Sequence, residues 1–127
     1  MRRREKKPPS QRRLRIGEEL RHSLAWIVER GDLRDPQLAP GRFTVTEVLV
    51  GPDLRRATVF VTPLGGGDPG PMLEALARAR PFLRHLVAKS VTLKYMPDFS
   101  FKADDTFDTA GRIDQLLKSA ADHGNGD

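Results

Sequence analysis

The chain is 127 residues long, carries a net charge of +5 and contains no cysteine. This length fits one domain with a single core, and the lack of cysteine excludes disulfides and thiolate metal sites. No apolar run approaches the roughly 18 residues that a membrane-spanning helix needs, so we expect a cytoplasmic protein with no membrane partner.

The first 15 residues are strongly basic. They hold eight Arg or Lys and one Glu, which leaves 14 basic and 16 acidic residues in the remainder of the chain. Residues 1–11 have almost no apolar side chains, so we expect a disordered arm in the free protein. Such arms usually bind polyanions, although a merely solubilising tail has the same composition. The arm's candidate nucleic-acid-binding residues are Arg2, Arg3, Arg4, Lys6 and Lys7.

A helical pattern of apolar residues begins after the arm. Its spacing of three to four residues predicts a first helix over about residues 12–30, with Gly31 as its stop. The residues that form this stripe are Ile16, Leu20, Leu24, Ile27 and Val28. Arg12, Arg13 and Arg15 begin this helix and extend the basic surface of the arm.

Two segments rich in β-branched residues follow. Residues 43–50 predict a strand with Phe43, Val45 and Leu49 on one face. Residues 57–62 predict a second strand with Ala57, Val59 and Val61 in phase. The short link between them, residues 51–54, favours an antiparallel hairpin.

The second half of the chain predicts two short helices and a third strand. The helical pattern resumes at Met72, and Pro81 is expected to stop or kink this helix, because proline lacks the N–H group, and to begin the next one. The second of these helices would bury Phe82, Leu83, Leu86 and Val87. Alternation over residues 91–96 predicts the third strand, and Ile113 marks a weak last helix. The result is an α+β fold in which helices cover a three-stranded sheet.

Basic residues cluster around the predicted break at Pro81. These candidates for phosphate contact are Arg78, Arg80, Arg84 and Lys89. Glu74 is the only acid between Asp68 and Asp98, which favours a binding surface over an ordinary solvated helix face.

No catalytic constellation is visible. Gly65-Gly66-Gly67 lacks the Lys-Ser/Thr ending of a phosphate-binding loop, and the three histidines have no carboxylates at metal-ligand spacing. We therefore expect no enzymatic activity, no cofactor, no metal and no small-molecule substrate.

Several motifs resemble those of the ribosome-binding factor A family. They are the strand–turn–strand of residues 44–61 around Gly51-Pro52-Asp53-Leu54, then Pro81-Phe82-Leu83-Arg84, then residues 93–101 with Pro97-Asp98-Phe99-Ser100-Phe101, and the ending of residues 112–117. The resemblance covers residues 12–119 in the family's order, with residues 120–127 left as a polar tail.

Membership in this family implies a type II KH-like domain of order αββααβ. It implies binding to the small (30S) ribosomal subunit and its 16S rRNA during late maturation, including 5′-end processing. We also expect a monomer. The family replaces the KH Gly-x-x-Gly loop by an Ala-x-Gly helix kink, which reads Ala79-Arg80-Pro81 here. The alternative is a protein-binding adaptor that acts through its exposed sheet edge.

Overall fold

A three-stranded sheet packs against two long helices in the computed structural model, which describes residues 9–104. The elements are α1 (Gln11–Arg30), a 3-10 helix (Pro36–Leu38), β1 (Phe43–Val50), β2 (Arg56–Pro63), α2 (Gly70–Ala88) and β3 (Asp98–Ala103). The α+β class and the three-stranded sheet are therefore confirmed. The predicted helix near Ile113, the tail over residues 120–127 and most of the predicted arm lie outside the described residues.

Helix α1 has defined ends and one buried face. The Ser10 hydroxyl accepts a hydrogen bond from the Arg13 backbone N–H at 3.1 Å, and Gly31 ends the helix with a φ of 76°. All five residues of the predicted apolar stripe are buried. Gly17 allows a close approach to β1, because a Cβ at this position would lie 2.5 Å from the Val48 carbonyl oxygen.

Strands β1 and β2 form the predicted antiparallel hairpin, but β1 contains a bulge. The register shifts between Val45 and Glu47, so the residues beyond it change faces. Val48 and Val50 are buried, whereas Leu49 is only half-buried. The prediction that Leu49 shares the core face with Phe43 and Val45 is therefore wrong, because strict alternation does not survive an extra residue.

Helix α2 is one continuous helix with Pro81 inside it, so the predicted stop and the division into two helices are wrong, while the predicted kink stays a prediction. Proline at position 81 removes the bond to the carbonyl of Ala77. Both Pro81 and Ala77 are exposed, so water can satisfy that carbonyl. Leu76 and Leu83 are buried on either side of the proline and hold both halves of α2 against the core. The sequence Ala79-Arg80-Pro81 thus lies within a helix and does not connect two.

Strand β3 begins later than the sequence predicted. Residues 91–97 form an irregular loop, and β3 pairs in parallel with β2 only from Asp98 onward. Pro97, which lacks an N–H, directly precedes the first bond of the strand, in which Asp98 N–H donates to the Arg55 carbonyl at 2.9 Å. Val91 is buried whereas Tyr95, in the same phase of the alternation, is exposed, so the pattern in residues 91–96 does not mark one face of a strand.

One hydrophobic core joins α1, the sheet and α2. Phe43, Val45 and Val59 are buried in it as predicted, whereas Leu86, also predicted to be buried, packs at its edge together with Leu93. The prediction that Phe82 lies in the core is wrong, because its side chain is 46% exposed. Within residues 9–104, neither helix combines the length and the apolar composition needed to cross a bilayer.

Candidate nucleic-acid interface

The beginning of α1 lies at the same end of the domain as the β1–β2 turn. The Arg13 guanidinium joins them, because its Nε and Nη2 donate to the Val50 carbonyl at 3.1 and 2.6 Å. Val50 pairs with Ala57 across the hairpin, and Arg56 pairs with Asp98. The first turn of α1, the turn between β1 and β2 and the beginning of β3 therefore meet at one end.

This end of the domain presents a group of basic side chains. Arg55 joins the group from the turn, and Lys94 joins it from the loop before β3, because both approach the ring of Tyr95. We call this group the basic end; its members are Arg12, Arg13, Arg55, Arg56 and Lys94. All except the half-buried Arg13 are exposed.

Within residues 9–104, two carboxylates accompany these five cations. Asp53 accepts a hydrogen bond from the Arg55 backbone N–H at 3.0 Å, which shapes the turn, and Asp98 is 80% exposed beside it. The described residues at this end therefore carry a net positive charge. Exposed Arg and Lys in excess of carboxylates suit the phosphates of a nucleic acid.

The predicted basic arm leads directly into this surface. Arg2, Arg3, Arg4, Lys6 and Lys7 lie outside the described residues. Ser10 caps α1 and Arg12 lies in its first turn, so the chain enters the described domain at the basic end.

Arg84, a predicted phosphate contact, holds a loop in place. Its Nη2 donates to the Met96 carbonyl at 2.8 Å and its Nε donates to the Pro97 carbonyl at 3.1 Å. The side chain is 38% exposed and also lies 3.8 Å from a carboxylate oxygen of Asp98. The guanidinium thus fixes the segment that follows Tyr95 against α2.

We expect Arg84→Gln to lower the free energy of unfolding by about 1–3 kcal/mol, because two backbone carbonyls lose a charged donor. Arg80→Gln is the matched control on the same helix, since Arg80 is exposed and forms no ion pair within residues 9–104. It should change stability by less than about 0.5 kcal/mol. Urea denaturation measures both, and equal midpoints for the two variants would remove the assigned role of Arg84.

The remaining predicted cations of α2 do not form one patch. Arg78 lies 3.1 Å from the Asp35 carboxylate, beside the 3-10 helix. The pKa of Asp35 is below its ordinary value because the carboxylate accepts a hydrogen bond from the Gln37 backbone and another from Arg78. Arg80 is exposed, and Lys89 is exposed at the C-terminal end of the helix. From Arg78 to Lys89 the helix extends by roughly 16 Å.

Arg15, the last predicted cation of α1, lies on a mixed surface. It lines a groove beside residues 90–92 together with Glu18, Glu19, His22 and Trp26. The pKa of Glu18 is lowered chiefly by a hydrogen bond from Arg21, so this carboxylate stays ionised. The groove therefore suits a polyanion less well than the basic end does.

Three members of the basic end were not predicted from the sequence, namely Arg55, Arg56 and Lys94. The two arginines directly follow the Gly51–Leu54 turn, and Lys94 lies in a segment that was predicted to be a strand. Recognising them required the β2–β3 register, which brings the turn and residue 94 together. Among residues 9–104, no group of three or more His, Cys, Asp or Glu is arranged to hold a metal ion.

Known proteins resemble this chain over most of its length. The family model described as Ribosome-binding factor A matches residues 12–117. A protein of Paramagnetospirillum magneticum with that name is 60% identical over 113 residues, which are 89% of this chain and 80% of the relative.

Solved structures share the fold. The solution structure of a Thermotoga maritima protein described as a putative ribosome binding factor A aligns with a TM-score of 0.64 and 30% identity, over 75% of this chain and 89% of that one. A homology model of the Thermus thermophilus ribosome binding factor A, fitted into a cryo-EM map of a complex with the 30S subunit, aligns with a TM-score of 0.57 and 24% identity, over 72% of this chain and 94% of that one.

Proposed function

Because the chain belongs to the ribosome-binding factor A family, we propose that it binds the small (30S) ribosomal subunit and its 16S rRNA. In this role it assists late maturation and 5′-end processing of that RNA by binding, without catalysing a reaction, as a monomer in the cytoplasm. The Thermus relative, which was fitted into a map of a 30S complex, supports this choice of partner.

The continuity of the basic end with the arm is the observation that carries the proposal. Residues 16–127 are net negative by two, so attraction to RNA must come from local concentrations of charge. The arm cations and the basic end supply such a concentration at one end of the domain. Arg15, Arg78, Arg80 and Lys89 are secondary phosphate contacts, and Arg84 acts by positioning its loop.

We also propose that this domain is related to the type II KH domain. An initial helix, an antiparallel hairpin, a helical segment and a final strand follow one another in the order that this domain type uses. The continuous α2 takes the place of the two helices and of any loop between them. RNA contact through a flexible glycine loop is therefore replaced by contact through side chains at the end of the sheet.

Depletion of the chain in its own cells tests the proposed role in processing. We expect small subunits to accumulate 16S rRNA with extended 5′ ends, measured by primer extension. Expression of the full chain should restore normal ends. The variant Arg55→Gln/Arg56→Gln/Lys94→Gln should not, because it removes three of the proposed phosphate contacts. Normal 5′ ends after depletion would contradict the proposed role.

A further inference from the structure

Tyr95 is an exposed aromatic residue at the centre of the basic end. It lies in the loop between α2 and β3, its side chain is 59% exposed, and it is the only tyrosine of the chain. The ring contributes nothing to the buried core, which takes Val91 and Pro97 from the same loop. A solvent-exposed aromatic ring beside several cations suits a partner that offers both a flat face for the ring and negative charge for the cations.

Two cations flank this ring. The Arg55 guanidinium carbon lies 5.3 Å from the ring centroid, and the Lys94 ammonium lies 5.6 Å from it. Both side chains are exposed and neither forms an ion pair within residues 9–104. The ring and the two charges therefore form one compact unit, and each cation keeps donors free for a phosphate.

The backbone beneath this unit is held on both sides. The Arg55 carbonyl accepts from the Asp98 N–H at 2.9 Å, which ties the hairpin turn to the start of β3. Arg84 holds the carbonyls of Met96 and Pro97, the two residues after Tyr95. A ring on a fixed backbone loses little conformational entropy when a ligand stacks on it.

We propose that Tyr95, Arg55 and Lys94 form a stacking site for an unpaired RNA base, with the flanking phosphates on the two cations. Unpaired bases expose the flat faces that aromatic rings bind, whereas bases inside a duplex keep theirs stacked on neighbours. This inference rests on the proposed function and narrows its target to single-stranded RNA.

The other exposed aromatic residues lack this combination. Trp26 is 59% exposed with Arg30 at 6.0 Å, but it shares its groove with the carboxylates of Glu18 and Glu19, which repel phosphates. Phe82 is 46% exposed, and no cation lies over its ring within residues 9–104. Only at Tyr95 do an open ring and two cations coincide in the part of the chain that the structure describes.

Affinity measurements on the full chain test the site. With a single-stranded oligoadenylate as probe, Tyr95→Ala and Tyr95→Leu should each weaken binding by roughly 5- to 150-fold, the effect of losing one stacked base. Tyr95→Phe keeps the ring and should bind within about twofold of wild type. None of the three should alter the salt dependence, whereas Arg55→Gln/Lys94→Gln should flatten it by about 1.4 units of log K per log salt. If Tyr95→Leu binds as tightly as wild type, apolar bulk and not stacking is responsible, and the proposal fails.

The single tyrosine also gives a direct readout by NMR. Stacking of a base should move its ring proton resonances upfield as oligoadenylate is added, while a duplex RNA of the same length should move them much less. Unmoved ring resonances at millimolar oligoadenylate would overturn the proposal. So would a Tyr95→Ala variant that loses affinity for small subunits but not for the oligonucleotide, because Tyr95 would then contact a ribosomal protein. In either case, if the wild-type chain still binds small subunits, the proposed function is not contradicted.

Discussion

Replacing Leu83 by alanine is expected to lower the free energy of unfolding by about 2–5 kcal/mol, the range for a large buried side chain that leaves a cavity. Leu83 is only 1% exposed and belongs to the central core. Phe82→Ala is the matched control, since the neighbouring ring is 46% exposed. It should cost less than about 1 kcal/mol.

Urea denaturation of the two variants distinguishes an α2 that buries both Phe82 and Leu83 from one that buries only Leu83. The sequence pattern put both residues in the core, whereas the structure buries only Leu83. Similar losses of stability in both variants would contradict the observed orientation of α2 after Pro81.

Deleting residues 1–8 is expected to produce the largest change in the salt dependence of binding to small subunits. The deletion removes five cations and one carboxylate and leaves Ser10 in place as the cap of α1. Each lost phosphate contact flattens the slope by roughly 0.7–0.9 units of log K per log salt, so five contacts would flatten it by about 3.5–4.5. The fold should be unaffected, because the deletion touches no core residue.

Arg42→Gln is a suitable control for the deletion. Arg42 is exposed next to the first residue of β1, at the opposite end of the sheet from Val50 and the basic end. Its loss should leave the slope unchanged if attraction is local. If Arg42→Gln flattens the slope of log K against log salt by as much per removed charge as the arm deletion does, binding depends only on net charge.

Local patterns predicted the elements whose residues follow an uninterrupted period. The stripe in α1 repeats every three to four residues without interruption, and its buried face and end at Gly31 are as predicted. The same holds for β2, where Ala57, Val59 and Val61 are all buried. The buried face and the end of such an element depend on residues that are close in sequence, so both can be predicted from the local sequence alone.

Prediction failed where tertiary contacts override a local signal. The bulge in β1 moves Leu49 out of phase, and only pairing with β2 reveals it. Proline at position 81 predicts a helix end, yet packing of Leu76 and Leu83 keeps α2 continuous. Residues 91–96 alternate like a strand but are not paired with β2, because the pairing begins only at Asp98.

The candidate interface was only partly predictable for the same reason. The arm and Arg12 are recognisable from charge alone, because their basic residues are adjacent in sequence. Arg55 and Lys94 are 39 positions apart and become neighbours only through the hairpin and the parallel pairing of β3. Arg84 looked like a free surface cation, and only its hydrogen bonds to residues 96 and 97 reveal a positioning role.

Co-sedimentation of the full chain with purified ribosomal subunits tests both the proposed partner and the electrostatic basis of binding. We expect the chain to pellet with small subunits at moderate salt and not with large ones. We also expect its release as salt rises, and release at lower salt for Arg55→Gln/Arg56→Gln/Lys94→Gln. If the small subunits pellet and the chain stays in the supernatant, the proposed partner is wrong. If the wild-type chain and the triple variant both pellet independently of salt, the electrostatic basis is wrong, and docking through the sheet edge is favoured.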